Sequence, residues 1–176
     1  MRIISGTHKG RVITPPRNLR ARPTTDFAKE NLFNVLGNLV DIEGTEVLDL
    51  FAGTGSISYE FASRGAAGVT SVEINAVHHD FIRQTAAGFG FAAIRPVKAN
   101  AFLYLKSVGK EFDIIFADAP YDLEGADAVI DLVFEKGVLC EGGILIFEHS
   151  GVADYSHHPR FTQERRYGSV CFAFFE

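Results

Sequence analysis

The chain has 176 residues, 47% apolar and 22% charged, with Gly 17 and Pro 6, which describes one compact domain and excludes disorder, collagen and repeat arrays. At this length about 70% of the unfolded surface is buried on folding, so neither disulfides nor a structural metal is needed. The charge is uneven: residues 1–25 hold Arg2, Lys9, Arg11, Arg17, Arg20 and Arg22 and no acid, giving +6 there against −5 overall and therefore −11 for residues 26–176.

Such asymmetry predicts a basic arm, residues 1–25, on an acidic body, and cations of this kind gain affinity for phosphates by counterion release. Pro15, Pro16 and Pro23 break the run, so an ordinary solvated segment is the competing reading. Beyond it, Thr25 and Asp26 can cap a helix over Phe27–Leu39, with Phe27, Leu32, Val35, Leu36 and Leu39 on its apolar face. Strands are then expected at Glu46–Phe51, Val69–Glu73, Ile94–Lys98, Phe112–Ala117 and Gly143–Phe147. Helices are expected near Ser56–Ser63, Ala76–Ala87, Ala101–Ser107 and Asp127–Lys136. This alternation, with strands that are continuously apolar (EVLDLF, FDIIFA), is the pattern of a doubly wound α/β sheet buried on both faces. Phe161–Tyr167 and Val170–Phe175 flank Gly168-Ser169 as a hairpin, an antiparallel pair closing one sheet edge. Cys140 and Cys171 lie in apolar stretches without C-x-x-C spacing and are expected to be reduced, buried thiols. No apolar run is long enough for a membrane span and no signal peptide opens the chain, so a cytoplasmic protein is expected.

The sharpest motif is Asp49-Leu-Phe-Ala-Gly53-Thr-Gly55-Ser, a strand ending in a glycine turn that opens a helix. Such a turn lets backbone approach a ligand beyond the carboxyl ends of the strands. The geometry serves both NAD and S-adenosylmethionine. Two features favour the second: Ser58 stands where a dinucleotide fingerprint wants its third Gly or Ala, and Asp49 would repel a pyrophosphate but could accept from the amino group of a methionine moiety. Glu73, at the end of the second strand, is placed to grip ribose hydroxyls. Phe51 in the loop and Ile74 after Glu73 are expected in the same pocket.

A second motif, Asp118-Ala119-Pro120-Tyr121, follows the strand FDIIFA. Asp118 and the Ala119 carbonyl can accept both N–H bonds of an exocyclic amine, Tyr121 can stack on the base, and Pro120 fixes the turn. Alone it reads equally as an ordinary Asp-x-Pro turn with a surface tyrosine.

These residues, with Met1-Arg-Ile-Ile-Ser-Gly, Lys9-Gly-Arg, Arg22-Pro-Thr-Thr-Asp26, Glu30-Asn-Leu-Phe-Asn34 and Ser63-Arg-Gly-Ala66, make the chain resemble, nearly end to end, the RsmD family of 16S rRNA guanine-N2 methyltransferases. That family lies within the class I S-adenosylmethionine-dependent superfamily. The resemblance implies a seven-stranded Rossmann-like sheet with the last strand antiparallel over residues 26–176. It implies that Asn100-Ala101 contact the cofactor adenine, that Arg22 and Thr24 help close the pocket, and that Arg11, Arg17, Arg20 and Arg22 track RNA. The expected partner is 16S rRNA or an assembling small subunit, bound by a monomer. The chain departs from the family's Asp-Pro-Pro motif at Ala119, which keeps the accepting carbonyl but loses a fixed φ, and carries Gln84-Thr85 where the family usually has asparagine.

Other readings remain at this level: an adenine-N6 methyltransferase, a nucleotide-dependent oxidoreductase, or a non-catalytic RNA-binding relative. Six histidines occur without H-E-x-x-H or paired His/Cys spacing, so no metal is expected. Glu148-His149 reads more readily as a polar strand end than as an acid/base pair.

Overall fold

The computed structural model describes residues 1–16, 19 and 25–176. Thr25 caps the first helix, α1 (Asp26–Leu39), its hydroxyl accepting from the Ala28 N–H at 3.1 Å. There follow β1 (Glu46–Leu50), α2 (Ser56–Ser63), β2 (Gly68–Glu73), α3 (Ala76–Phe89), β3 (Ile94–Lys98), α4 (Ala101–Ser107), β4 (Phe112–Ala117), α5 (Ala128–Lys136), β5 (Leu139–His149), β6 (Phe161–Tyr167) and β7 (Val170–Phe175). Seven strands form one sheet in the order β3-β2-β1-β4-β5-β7-β6. Neighbours from β3 to β5 are parallel, and β7 runs antiparallel to both β5 and β6.

The chain therefore winds outward from β1 through β2 to β3, then returns to start β4 on the other side of β1. That reversal opens a crevice between the loops after β1 and β4. Two apolar clusters sandwich the sheet. One joins α1, α2 and α3 to Val47, Val69, Ile114, Phe116, Ile146 and Phe172. The other joins α4 and α5 to Leu48, Val72, Ile115, Ala117, Phe147 and Phe175. Alternate residues of each strand thus feed opposite faces, which is why the strands read as continuous apolar runs. The sheet edges are guarded: β3 carries Pro96, and β6 presents Gln163, Glu164, Arg165 and Arg166.

Three expectations need correction. The buried stripe of α1 is Ala28, Lys29, Leu32, Phe33 and Leu36, whereas Phe27 is 65% and Leu39 is 42% exposed. The stripe is turned toward Lys29 because its ammonium is satisfied inside, donating to the Arg2 carbonyl at 2.7 Å and to Ser56 Oγ at 3.2 Å. Strand β5 is longer at both ends than Gly143–Phe147. The Gly142-Gly143 pair, where the sequence places the strand's start, sits in an irregularity where the register against β4 shifts between Phe112 and Ile114. Finally, Cys171 is fully buried but Cys140 is only half-buried, at that same irregular start of β5.

The basic N-terminal segment is stitched to the body over its first 13 residues. Arg2 and Val12 form a β-bridge, and Ile3 and Ile13 are buried with α1 and α2. The fully buried Glu60 carboxylate accepts the N–H groups of Ile4 and Ser5 at 2.8 and 3.0 Å.

Candidate active site

The glycine turn begins where β1 stops. Phe51 has φ +61°, the sole positive φ at a non-glycine among the described residues, so the strand ends one residue short of the expected Phe51. An aromatic in the left-handed region costs roughly 1–3 kcal/mol, and strain of that kind concentrates at ligand loops. Its ring meets Phe102 of α4 edge to face at 6.0 Å. Gly55, at φ +82°, caps α2 without a side chain, and a Cβ there would lie 2.8 Å from the Tyr59 ring and 3.1 Å from Ile82. Gly53, at φ +55°, is different: the nearest atom to a Cβ would be the Phe51 carbonyl at 3.9 Å, so its outer face is open to a ligand.

Glu73 fastens this turn. One carboxylate oxygen accepts the Gly53 N–H at 2.8 Å and the other the Asn75 N–H at 2.7 Å, yet each oxygen keeps a lone pair for a further donor. Ile74 beside it is 62% exposed. Asn100, at the end of the β3 segment, caps α4 by accepting from the N–H groups of Phe102 and Leu103, and Ala101 is buried behind it. Asp49 sits below the turn, 1% exposed, accepting from Ser58 Oγ at 2.5 Å, with Ser58 and Ser71 hydroxyls 2.7 Å apart. Burial, assisted by the Glu73 charge and opposed by the Ser58 bonds, pushes Asp49 up to about 7.

Across the crevice, β4 pairs with β1 through Leu50 and Ala117, so Asp118 leaves the sheet directly beside the glycine turn. Burial raises Asp118 well above the usual carboxylate range, and the charges of Glu148 and Asp49 raise it further. Ala119 is 3% exposed, while Tyr121 is 54% exposed and donates to Glu148 Oε1 at 3.4 Å. Ala119, Pro120, Tyr121, Glu148 and His149 line a cleft of about 240 Å³.

Sequence reasoning missed two contributors here. Phe102 packs against Phe51 next to the Asn100-Ala101 pair, and that adjacency is the available signal. Glu148 reads in the sequence as a strand-end polar cap; the structure buries it at 4% exposure, facing Asp118. Its neighbour His149 turns to Glu164, Nε2 lying 3.1 Å from Oε2, with Cys171 beside them. Arg11 is exposed, its guanidinium 5.5 Å from the Phe89 ring centre. Arg17, Arg20, Arg22 and Thr24 lie outside the described residues.

The donor set suits a cationic, amine-bearing adenosine compound such as S-adenosylmethionine. Every charge that shifts Asp49 or Asp118 is another carboxylate, an environment hostile to a pyrophosphate and attractive to a sulfonium and an ammonium. The open face of Gly53 and the exposed Ile74 give a flat, uncharged ring room to lie.

The family model "Conserved hypothetical protein 95" matches residues 1–176. The chain is 29% identical over 179 residues to the Ribosomal RNA small subunit methyltransferase D of Escherichia coli K12, covering 100% of this chain and 89% of that protein. Among solved structures, a hypothetical protein of Thermus thermophilus superposes with a TM-score of 0.88 at 23% identity, covering 100% of this chain and 99% of that one. The T. thermophilus 16S rRNA N2 G1207 methyltransferase, solved with AdoMet and guanosine, superposes with a TM-score of 0.72 at 20% identity, covering 89% of this chain and 44% of that one. Both likenesses establish the fold. Together with the whole-length family match they lead to one conclusion: the chain belongs to the Conserved hypothetical protein 95 family and is a methyltransferase.

Proposed function

We propose that the protein transfers a methyl group from S-adenosylmethionine to the exocyclic N2 of a guanine in 16S ribosomal RNA. The observation that carries this reading is the placement of Asp118-Ala119-Pro120-Tyr121 across the sheet's switch point from the glycine turn. Kinship with the E. coli small-subunit RNA methyltransferase supports the choice of RNA.

S-adenosylmethionine, when bound, supplies an electrophilic methyl on sulfur. Glu73 would hold its ribose hydroxyls, the Gly53 to Gly55 turn its methionine backbone, Asp49 with Ser58 the field beneath its amino group, and Phe51, Ile74, Asn100 and Ala101 its adenine. The Asp118 carboxylate and the Ala119 carbonyl accept the two N–H bonds of the guanine amine. They turn its lone pair toward the methyl and stabilise the positive charge that grows on nitrogen. As the N–C bond would form and the methyl–sulfur bond break, its electron pair leaving on sulfur, the nitrogen would release one proton, for which Asp118 Oδ is the adjacent acceptor. Tyr121 stacks on a base that has left its helix. Residues 1–25 form the RNA-facing arm of the transfer domain 26–176, with Arg11, Arg17, Arg20 and Arg22 tracking phosphates and Thr24 closing the pocket.

Labelled S-adenosylmethionine incubated with unmodified 16S RNA and with assembling small subunits tests this directly. Label recovered as N2-methylguanosine supports the assignment, whereas label in another nucleoside, or none, overturns it.

A further inference from the structure

We propose that Glu148 reads the target base, accepting the ring N1–H of guanine beside the amine that Asp118 engages. This rests on the methyl-transfer reading above and assigns a role to a residue that the cofactor site leaves unused.

The argument begins with strand register. Ala117 pairs with Phe147, so Asp118 and Glu148 are the next residues on adjacent parallel strands, about 4.8 Å apart along the ladder. Both share the face of Phe116 and Ile146, the face covered by α1 to α3. The same alternation puts Asp49, two residues after Val47, and Glu73, four after Val69, on that face. Four carboxylates therefore stand in a row at the carboxyl ends of β2, β1, β4 and β5. The first two serve the glycine turn and the third the amine. Glu148 stands at the end of the row, beyond Asp118 from the glycine turn, and lines the cleft with Ala119, Pro120 and Tyr121. At 4% exposure, with the Tyr121 hydroxyl at 3.4 Å, it is a buried acceptor held at the edge of a base-sized cavity.

Two acceptors side by side select a base with two adjacent donors. Guanine presents N1–H next to its amine on one edge. Adenine and cytosine each place a bare ring nitrogen beside theirs, which would face a carboxylate lone pair to lone pair. The Glu148 charge also raises the Asp118 carboxyl, which places the two groups within electrostatic reach of one base.

The test uses an RNA fragment of 16S rRNA carrying either guanine or 2-aminopurine at the methylated position; the latter keeps the amine but has no proton on N1. Wild-type protein is expected to favour guanine in kcat/KM by roughly tenfold to a hundredfold. In Glu148→Gln the side-chain amide can donate to the bare N1, so the preference should shrink to within about threefold or reverse. Affinity for S-adenosylmethionine should stay unchanged. An E148Q protein with the wild-type preference overturns the inference, and so does a wild-type ratio near one, which needs no variant to fold. Absence of N2-methylguanosine from the wild-type reaction overturns the functional reading itself, and the inference with it.

Discussion

The two sides of the crevice are built on opposite plans. On the β1 and β2 side each carboxylate already has protein partners: Asp49 has Ser58, and Glu73 holds two backbone N–H groups. On the β4 and β5 side the Glu148 charge raises Asp118, and the Tyr121 hydroxyl donates to Glu148 Oε1 at 3.4 Å. One half ties its carboxylates down with short bonds inside the turn, and the other sets two carboxylates within reach of each other. Binding and turnover should accordingly separate on mutation.

The largest effect is expected at Asp118. Asp118→Ala should lower kcat by about 10²–10³-fold, the scale of losing one charge-stabilising group, while calorimetry finds S-adenosylmethionine binding within about threefold of wild type. A parallel loss of binding would erase the contrast between the two sides. On the organised side, Glu73→Gln turns an NH₂ toward one of the two N–H groups its oxygens now accept. It should weaken cofactor affinity by roughly tenfold to a hundredfold, the value of hydrogen bonds to a charged group. Gly55→Ala should cost about 1–3 kcal/mol in chemical denaturation, since a Cβ meets Tyr59 at 2.8 Å in a backbone region that disfavours it.

The buried charge of Asp49 gives a subtler handle. Its folded value of about 7 lies above the unfolded 3.8, so the folded state holds the proton more tightly. The stability it contributes is fully present below about 3.8 and is lost as pH rises through 7. The ligand-free wild type should therefore lose melting temperature across pH 4 to 7.5 relative to Asp49→Asn, and a matching slope in the variant would refute the assignment. The smallest effect is expected from Ala119→Pro, which restores the φ restriction that the motif usually carries. It should raise kcat by no more than a few-fold with KM little changed.

Much of the architecture was legible because local chemistry and global packing agree. Thr25 caps where it should, Gly53 and Gly55 take the positive φ of the expected turn, and the hairpin folds at Gly168-Ser169. The misreadings share a cause: each residue is satisfied by a partner distant in sequence. Phe27 reads as core because nothing local announces that Lys29, on the buried stripe instead, ends its ammonium on the Arg2 carbonyl. Glu148 passed for a polar strand end because its meaning comes from Asp118, 30 positions earlier and one strand away. The glycine pair in β5 passed for the strand's beginning because the bulge that accommodates it is set by pairing with β4.

The insertion of β7 between β5 and β6 carries a consequence for how the enzyme comes into being. The outer rim of β5, from Leu145 to His149, pairs with Phe175 to Cys171, so the wall that holds Glu148 stays unzipped until those residues have left the ribosome. A nascent chain can lay down the strands that carry the glycine turn early, but it completes the β5 wall behind Glu148 only once β7 is in place.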